Sequence, residues 1–425
     1  MRYLFLHQNF PGQFLHTSSV LADRGNEVVA LSQRGKRVHP RIKSLQYKSP
    51  PPEPGVHPFV RTFEAAVRNG EAVAEICSVL KKNGLVPDLV VGHTGWGETL
   101  FIKDVWPGTP LLGYFEYYYR YASSDVTFDP EFPPTARDPW RIRGMNAPIQ
   151  LALEAADVGV TPTEWQRSLF PPPKGEDLQV LHEGIDTEAA QPVDYSEIAL
   201  DSGIRLTSRD PVITFSARNL EPYRGFHVFM RALARLQQRN PDAQAVIVGS
   251  DGVSYGRRPA GYATYRDQML TELRGQLDLS RIHFTGPLPY RQYINLLQVS
   301  SAHVYLTYPF VLSWSLLEAM AIGCVIIGSR TGPVEEVIED GHNGLLVDFF
   351  DAEALARQLD YAVRYRSSLR ELRRQARQTI LDRYDLRRVC LPAQLTLYDK
   401  MATRTRPPIH QRRATRGRDN AEGTI

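Results

Sequence analysis

The sequence has 425 residues, with 50 Lys and Arg against 47 Asp and Glu, a formal net charge of +3 and 42% hydrophobic residues. These values suit a globular chain long enough for two ordinary domains, and they exclude collagen-like, disulfide-scaffold and strongly charged disordered classes. The sequence contains no run of about 18 apolar residues, which excludes a membrane-spanning helix.

The cysteines are Cys77, Cys324 and Cys390. They are odd in number, widely spaced and set among apolar residues, and no metal-ligand spacing links them. They read as reduced core thiols of a cytosolic protein. The opening MRYLFLHQNFPGQF is expected not to be a signal peptide, because its apolar run is short and broken by His7, Gln8 and Asn9.

In chain order, YLFLHQ reads as a buried strand, FLHTSSVLADRG as a helix ending at Gly25, and NEVVALSQ as a second strand. This is the first unit of a doubly wound sheet. Gly12 lies in the Pro-Gly turn at the carboxyl edge of the first strand, the edge where such sheets bind ligands; taken alone it is equally a turn residue. Residues 36–60 are basic and then proline-rich, and read as a surface connection. A long amphipathic helix follows, TFEAAVRNGEAVAEICSVLKKNG, with a break expected at Asn69-Gly70. PDLVVGH is a strand ending at His93, and TPLLGYFEYYYR a strand ending near Glu116. Functional residues gather at such strand ends. His93 can equally be a satisfied histidine bonding a backbone group. A carboxylate directly after LLGYF is partly buried and needs a partner or a function.

The segment SSDVTFDPEFPPTARDPWRIRG is long for a plain connection and suggests a lid or acceptor loop. It carries Asp125 and Asp129, but no Asp-x-Asp metal site stands in a convincing place, and no metal is expected. LQVLHEGID is the last strand of the first domain. The expected division is a first domain over 1–186, a polar linker over 187–207, a second domain over 208–385, a returning helix over 386–401 and a disordered basic tail over 402–425. That tail is a solvated chain end on the plainer reading and a weak contact for anionic lipid headgroups on the sharper one. No groove-reading module accompanies it, so nucleic-acid binding is not expected.

The second domain opens with strand VITFSA, loop NLEPYRG and helix FHVFMRALARLQQR. Arg218 and Arg224 flank the loop. Two guanidinium forks beside a helix start suit a diphosphate, although such a pair equally reads as solvated surface arginines. From Tyr305 to Asp348 the chain reads strand, loop, helix, strand, Gly-Pro turn. Ser313 or Ser315 can cap the helix, Leu316, Leu317 and Met320 form its apolar face, and Glu318 sits in its first two turns. A helix start between parallel strands binds anions, though an ordinary βαβ unit with a surface glutamate fits the pattern equally.

The stretch SLLEAMAIGCVIIGSRTGPVEEVIEDGHNGLLV resembles the donor-binding segment of retaining GT-B glycosyltransferases of the large family 4. That resemblance implies two Rossmann-like doubly wound α/β domains facing across a cleft. It implies a hexosyltransferase that moves a sugar from a nucleotide-diphosphate donor to a hydroxyl acceptor with retention, in bacterial polysaccharide or glycoconjugate synthesis. The acceptor would be a carbohydrate, a lipid-linked molecule or a small molecule. The enzyme would be cytoplasmic or peripheral at the inner membrane face, with no cofactor and no metal. The family's motif is a glutamate, seven residues and a second glutamate. The second glutamate falls on Glu318, which would bind the ribose hydroxyls; the first falls on Phe310. Arg218 and Arg224 match the family's pair of basic residues on the pyrophosphate. Gly12, Leu312, Ser313 and Gly286 fall at its remaining donor-contacting positions. Glu116 stands where the family has a histidine touching the transferred sugar, so Glu116 and His93 are the expected catalytic pair. Trp96 and Glu98 would form the acceptor-side wall, Trp96 by stacking on a sugar face. Two other readings stay open: a nucleotide-sugar epimerase or hydrolase on the same fold, and a catalytically silent nucleotide-sugar binder.

Overall fold

A computed structural model describes residues 1–35, 37–201 and 203–404. The chain divides into two compact units. Unit 1 comprises Met1–Tyr119, Ala136–Glu183 and the described residues from Leu391; unit 2 comprises Arg120–Thr135 and Gly184–Cys390.

Unit 1 is built on seven strands: β1 (Arg2–Leu6), β2 (Glu27–Ser32), β3 (Ile42–Gln46), β4 (Leu89–His93), β5 (Leu111–Tyr114), β6 (Val158–Thr161) and β7 (Gln179–Val180). All pairings are parallel, in the order β3-β2-β1-β4-β5-β6-β7. Central strands such as Leu4–Leu6 and Leu89–Val91 are apolar on both faces, as a sheet covered by helices on each side requires. Helices α1 (Leu15–Asp23), α2 (Arg61–Lys82), α3 (Ile102–Val105), α4 (Asp138–Ala155) and α5 (Glu164–Ser168) belong to this unit. Residues 36–60, expected as a plain connection, contain edge strand β3, whose mixed burial hid it among charges and prolines. Helix α2 runs unbroken through Asn69-Gly70. A Cβ on Gly70 would lie 2.8 Å from the Gly97 carbonyl, so the glycine serves close packing and not a break.

Unit 2 opens with an antiparallel hairpin, β8 (Glu197–Ala199) and β9 (Arg205–Thr207), in the stretch expected to be a linker. Ile198 and Leu206 from this hairpin are buried against Val212, Val246 and Leu296. Its main sheet has strands β10 (Val212–Asn219), β11 (Gln244–Ser250), β12 (Ile282–Gly286), β13 (Ala302–Tyr305), β14 (Ile326–Ser329) and β15 (Leu345–Val347). They pair in parallel in the order β12-β11-β10-β13-β14-β15. The surrounding helices are α6 (Phe226–Arg239), α7 (Tyr265–Glu272), α8 (Tyr290–Val299), α9 (Trp314–Ile322), α10 (Gly332–Glu335), α11 (Ala352–Arg364) and α12 (Arg370–Arg383). The last helix, α13 (Leu391–Arg404), returns to unit 1, where Leu395, Tyr398 and Met401 join the core of Tyr3 and Phe5. The basic tail beyond it lies outside the described residues.

The segment expected to be a lid or acceptor loop is anchored in unit 2 over Arg120–Thr135. Asp129 is buried, accepts from the Tyr308 hydroxyl at 2.6 Å and pairs with His227 at 3.1 Å. Phe128 packs on Tyr308, Phe349 and Phe350, and Phe132 on His227 and Tyr265. Glu131 is held by a two-pronged bond from Arg231. The aromatic side chains of this segment hold it to unit 2 through burial.

Candidate active site

In unit 2, a cavity of about 400 Å³ opens where β10 and β11 end and α9 begins. Three local features of the sequence shape it. Ser313 caps α9 through its hydroxyl, which accepts from Ser315 N–H, and Gly323 closes the helix in the left-handed conformation (φ 77°). Gly225, at φ 68°, starts α6; a Cβ there would lie 2.3 Å from Leu306 Cβ, so the turn and the β13 end pack only around a glycine. Glu221 is buried, and its carboxylate accepts from the backbone N–H groups of Ser254, Tyr255 and Gly256 at 2.9, 3.2 and 3.0 Å. This pins Tyr255 beside the cavity.

Arg218, Arg224, Ser313 and Glu318 all line this cavity, together with Glu221, Tyr255 and Tyr293. Arg224 is buried. Its Nη1 donates to Tyr305 Oη at 3.1 Å, Thr307 Oγ1 at 2.8 Å and the Val311 carbonyl at 3.2 Å. Its guanidinium also lies 5.8 Å from the Tyr255 ring centre and 5.9 Å from that of Phe310. Among the described residues no carboxylate lies within ion-pair distance of it. Arg218 is exposed at the end of β10. Two cations face one cavity, one of them fixed by neutral groups alone, an arrangement that can hold an anion beside the lining carboxylates Glu221 and Glu318. Glu318 receives a bond from the Tyr290 hydroxyl, and burial pushes its carboxyl up to about 7 despite that bond. Such a carboxylate is under-solvated, and hydroxyl donors from a ligand relieve that.

Leu312 and Gly286, expected to offer backbone contacts, adjoin the cavity-lining residues Ser313 and Pro287. The Leu312 side chain packs against the core around Ile294 and Leu316, because it is apolar and the core lies beside it. Gly286 ends β12 at φ 66°, next to cavity-lining Pro287. Phe310 is buried against Tyr223 and Tyr255, which fills the place of the absent first glutamate with an aromatic cluster.

In unit 1, Gly12, His93, Trp96 and Glu116 gather at the ends of β1, β4 and β5. His93 Nε2 lies 3.6 Å from Glu116 Oε2. The His93 ring stacks on Trp96 with centroids 4.2 Å apart, so that indole face is already covered. The Glu116 side chain is 35% exposed, while His93 is buried. Gln13 Nε2 donates to Glu116 Oε1 at 3.2 Å, and His7 Nε2 stands 2.7 Å from Gln13 Oε1. The sequence reading missed His7, Gln13 and Glu221. His7 and Gln13 follow a strand on the edge where ligands bind, and that placement was the available signal. Glu98 is a correction. It is wholly buried and accepts from the Tyr47 hydroxyl at 2.6 Å, so it forms no acceptor wall. Burial pushes its carboxyl up, toward a neutral acid.

Residues 24–190 match the glycosyl transferase family 4 group model, and residues 201–379 match the glycosyl transferases group 1 model. A D-inositol 3-phosphate glycosyltransferase of Corynebacterium urealyticum is 30% identical over 155 residues, 36% of this chain and 34% of that protein. The same enzyme of Streptomyces scabiei is 24% identical over 64% of this chain and 58% of its own length. The chain thus spans between about a third and three-fifths of these relatives. Among solved structures, Anabaena HepE in complex with UDP-glucose aligns with a TM-score of 0.65 at 16% identity, over 94% of this chain and all of that one. Sucrose-phosphate synthase from Thermosynechococcus elongatus aligns with a TM-score of 0.69 at 15% identity, over 94% and 99%. The chain is therefore built from two parallel-sheet α/β domains of the GT-B glycosyltransferase fold, each matched by a glycosyltransferase domain model.

Proposed function

We propose that the protein is a hexosyltransferase that takes a sugar from a nucleoside diphosphate donor bound in the unit 2 cavity and delivers it to a hydroxyl acceptor. The observation that carries this reading is the cavity shared by Arg218, Arg224 and Glu318. The guanidinium groups hold the diphosphate and neutralise the charge that grows on it as the bond to the sugar breaks. The start of α9 adds its dipole. These cationic groups supply the charge that a divalent ion supplies elsewhere, so the reaction is metal-independent in this account. Glu318 accepts from the ribose hydroxyls. Glu116 accepts from a sugar hydroxyl or steadies positive charge at the anomeric carbon. Retention of configuration follows from front-face attack, in which the leaving phosphate oxygen takes the acceptor proton.

The HepE complex with UDP-glucose supports UDP as the first nucleotide to test, and the inositol phosphate glycosyltransferase relatives support a phosphorylated polyol as an acceptor class. The test is a thermal-shift screen against UDP, GDP, ADP and dTDP sugars, followed by transfer assays with the donor that stabilises most. Absence of stabilisation by every nucleotide sugar would overturn the reading. The aromatic Phe310 in place of a carboxylate favours a second reading, a nucleotide-sugar binder without turnover. Donor binding that survives Glu116→Ala, with no transfer by the unaltered protein to any acceptor, would select it.

A further inference from the structure

Three side chains in unit 1, His7, Gln13 and Glu116, form one directed hydrogen-bond series, His93 stands at its far end, and the backbone sets the direction. The Asn9 N–H donates to His7 Nδ1 at 2.9 Å, so in the neutral ring the proton sits on Nε2. That proton faces Gln13 Oε1 at 2.7 Å, which fixes which end of the amide points away. Gln13 Nε2 is left to donate to Glu116 Oε1 at 3.2 Å. From the other side, the Gly95 N–H donates to His93 Nδ1 at 3.0 Å. This likewise places the His93 proton on Nε2, 3.6 Å from Glu116 Oε2. Both histidines are buried, and their rings meet edge to face at 5.2 Å. Burial, and then His93, hold His7 down to about 4, so it stays a neutral donor at working pH. The titratable groups that face Glu116 include His93, His7 and the Tyr114 hydroxyl.

Gly12 belongs to the same arrangement. Its φ is 47°, and a Cβ would stand 2.2 Å from His7 Nε2, where the bond to Gln13 is made. A side chain at this position would displace the ring that orients the amide.

We infer that His7 and Gln13 are positioning residues, with Gly12 leaving room for them, and that they hold Glu116 as an ionised carboxylate turned to accept a hydrogen bond from a substrate hydroxyl. The inference rests on the glycosyl-transfer reading for the identity of that substrate, while the positioning itself is testable without it. A carboxylate bonded by an amide N–H keeps its charge and loses its rotational freedom. With each Nδ1 taken by a backbone N–H, the ring nitrogen turned toward Gln13 or Glu116 is the proton-bearing one in both neutral rings.

The experiment uses the full chain labelled with ¹³C at the glutamate carboxyl carbons. The Glu116 signal is assigned by its loss in Glu116→Gln, and its titration is followed in Gln13→Leu, a change at a half-buried side chain. Removing the donor should move the Glu116 titration upward by about one pH unit. Gln13→Glu, which sets a second carboxylate beside it, should move it further. UDP affinity measured by calorimetry on the same samples should stay within twofold of the unaltered protein. If a hexosyl donor is turned over, Gln13→Leu should lower kcat more than it raises KM and shift the acid limb of kcat/KM upward. An unmoved Glu116 titration in Gln13→Leu would overturn the inference. Failure of UDP or any other nucleotide to bind would overturn the glycosyl-transfer reading and leave the titration to judge the positioning alone.

Discussion

The guanidinium of Arg224 lies 5.9 Å from the centre of the Phe310 ring, and it is buried without a carboxylate within ion-pair distance among the described residues. A buried cation held by hydroxyls, a carbonyl and aromatic faces keeps its full charge for a ligand. In the resembling family a glutamate occupies the Phe310 position. Here the aromatic ring lies beside the guanidinium and fixes it without neutralising it. Phe310→Leu, of similar bulk but without the ring quadrupole, should weaken nucleoside diphosphate binding by about 0.5–2 kcal/mol, the range for a cation–π contact. Calorimetry checks this; unchanged affinity would show that the ring only fills space.

Glu318 gives the cavity a pH signature. Burial raises its carboxyl to about 7 in the free protein. Under the proposed function ribose hydroxyls would donate to the charged form, so binding would lower that value and expel a proton. Nucleotide affinity should therefore be level above about pH 7 and fall as the pH drops below it, with proton release seen in buffers of different ionisation heat. Glu318→Gln should flatten the profile. The sign for stability is the opposite. The raised carboxyl favours the folded state while protonated, and that contribution is lost as the pH rises through about 7. Glu318→Gln should therefore raise the melting temperature more at pH 8 than at pH 5.

The Asp129–His227 pair anchors Arg120–Thr135 in unit 2. Burial opposes the charge on Asp129, but bonds from His227 and Tyr308 outweigh it and hold the carboxyl below its usual range. Asp129→Ala leaves His227 and the Tyr308 hydroxyl buried without this partner, and should cost about 3–5 kcal/mol. Urea denaturation measures it. The stability that the pair supplies is present above the usual carboxylate range and is lost as the pH falls through the depressed value. The difference between the variant and the unaltered protein should therefore shrink in acid.

All three cysteines are buried, and burial pushes the thiols of Cys77 and Cys324 up to about 12. No thiol should react with a disulfide reagent in the native protein at pH 8, and all three should react in guanidinium chloride.

Most strands of both sheets, though not β15, were legible because parallel sheets bury both faces and write continuous apolar runs such as LVVGH and VITFSA. Edge strand β3 and the β8–β9 hairpin were not, since half-exposed short strands carry charges that read as connection. Arg218, Arg224, Ser313 and Glu318 were legible from strand ends, a helix cap and a family resemblance. Glu98 was misread because sequence places it beside His93 while the backbone turns it inward to Tyr47. The anchoring of Arg120–Thr135 depends on partners about a hundred residues away, Tyr223, His227 and Arg231, and no local pattern reports those.

The central claim is that the two guanidinium groups of unit 2 grip a nucleoside diphosphate. Calorimetric titration of the unaltered protein, Arg218→Ala and Arg224→Ala with UDP and GDP tests it most directly. The account predicts that the nucleotide bound by the unaltered protein loses about 1.5–3 kcal/mol of affinity in each variant, the range for a bond to a charged group. Affinities that stay unchanged in both folded variants would contradict it.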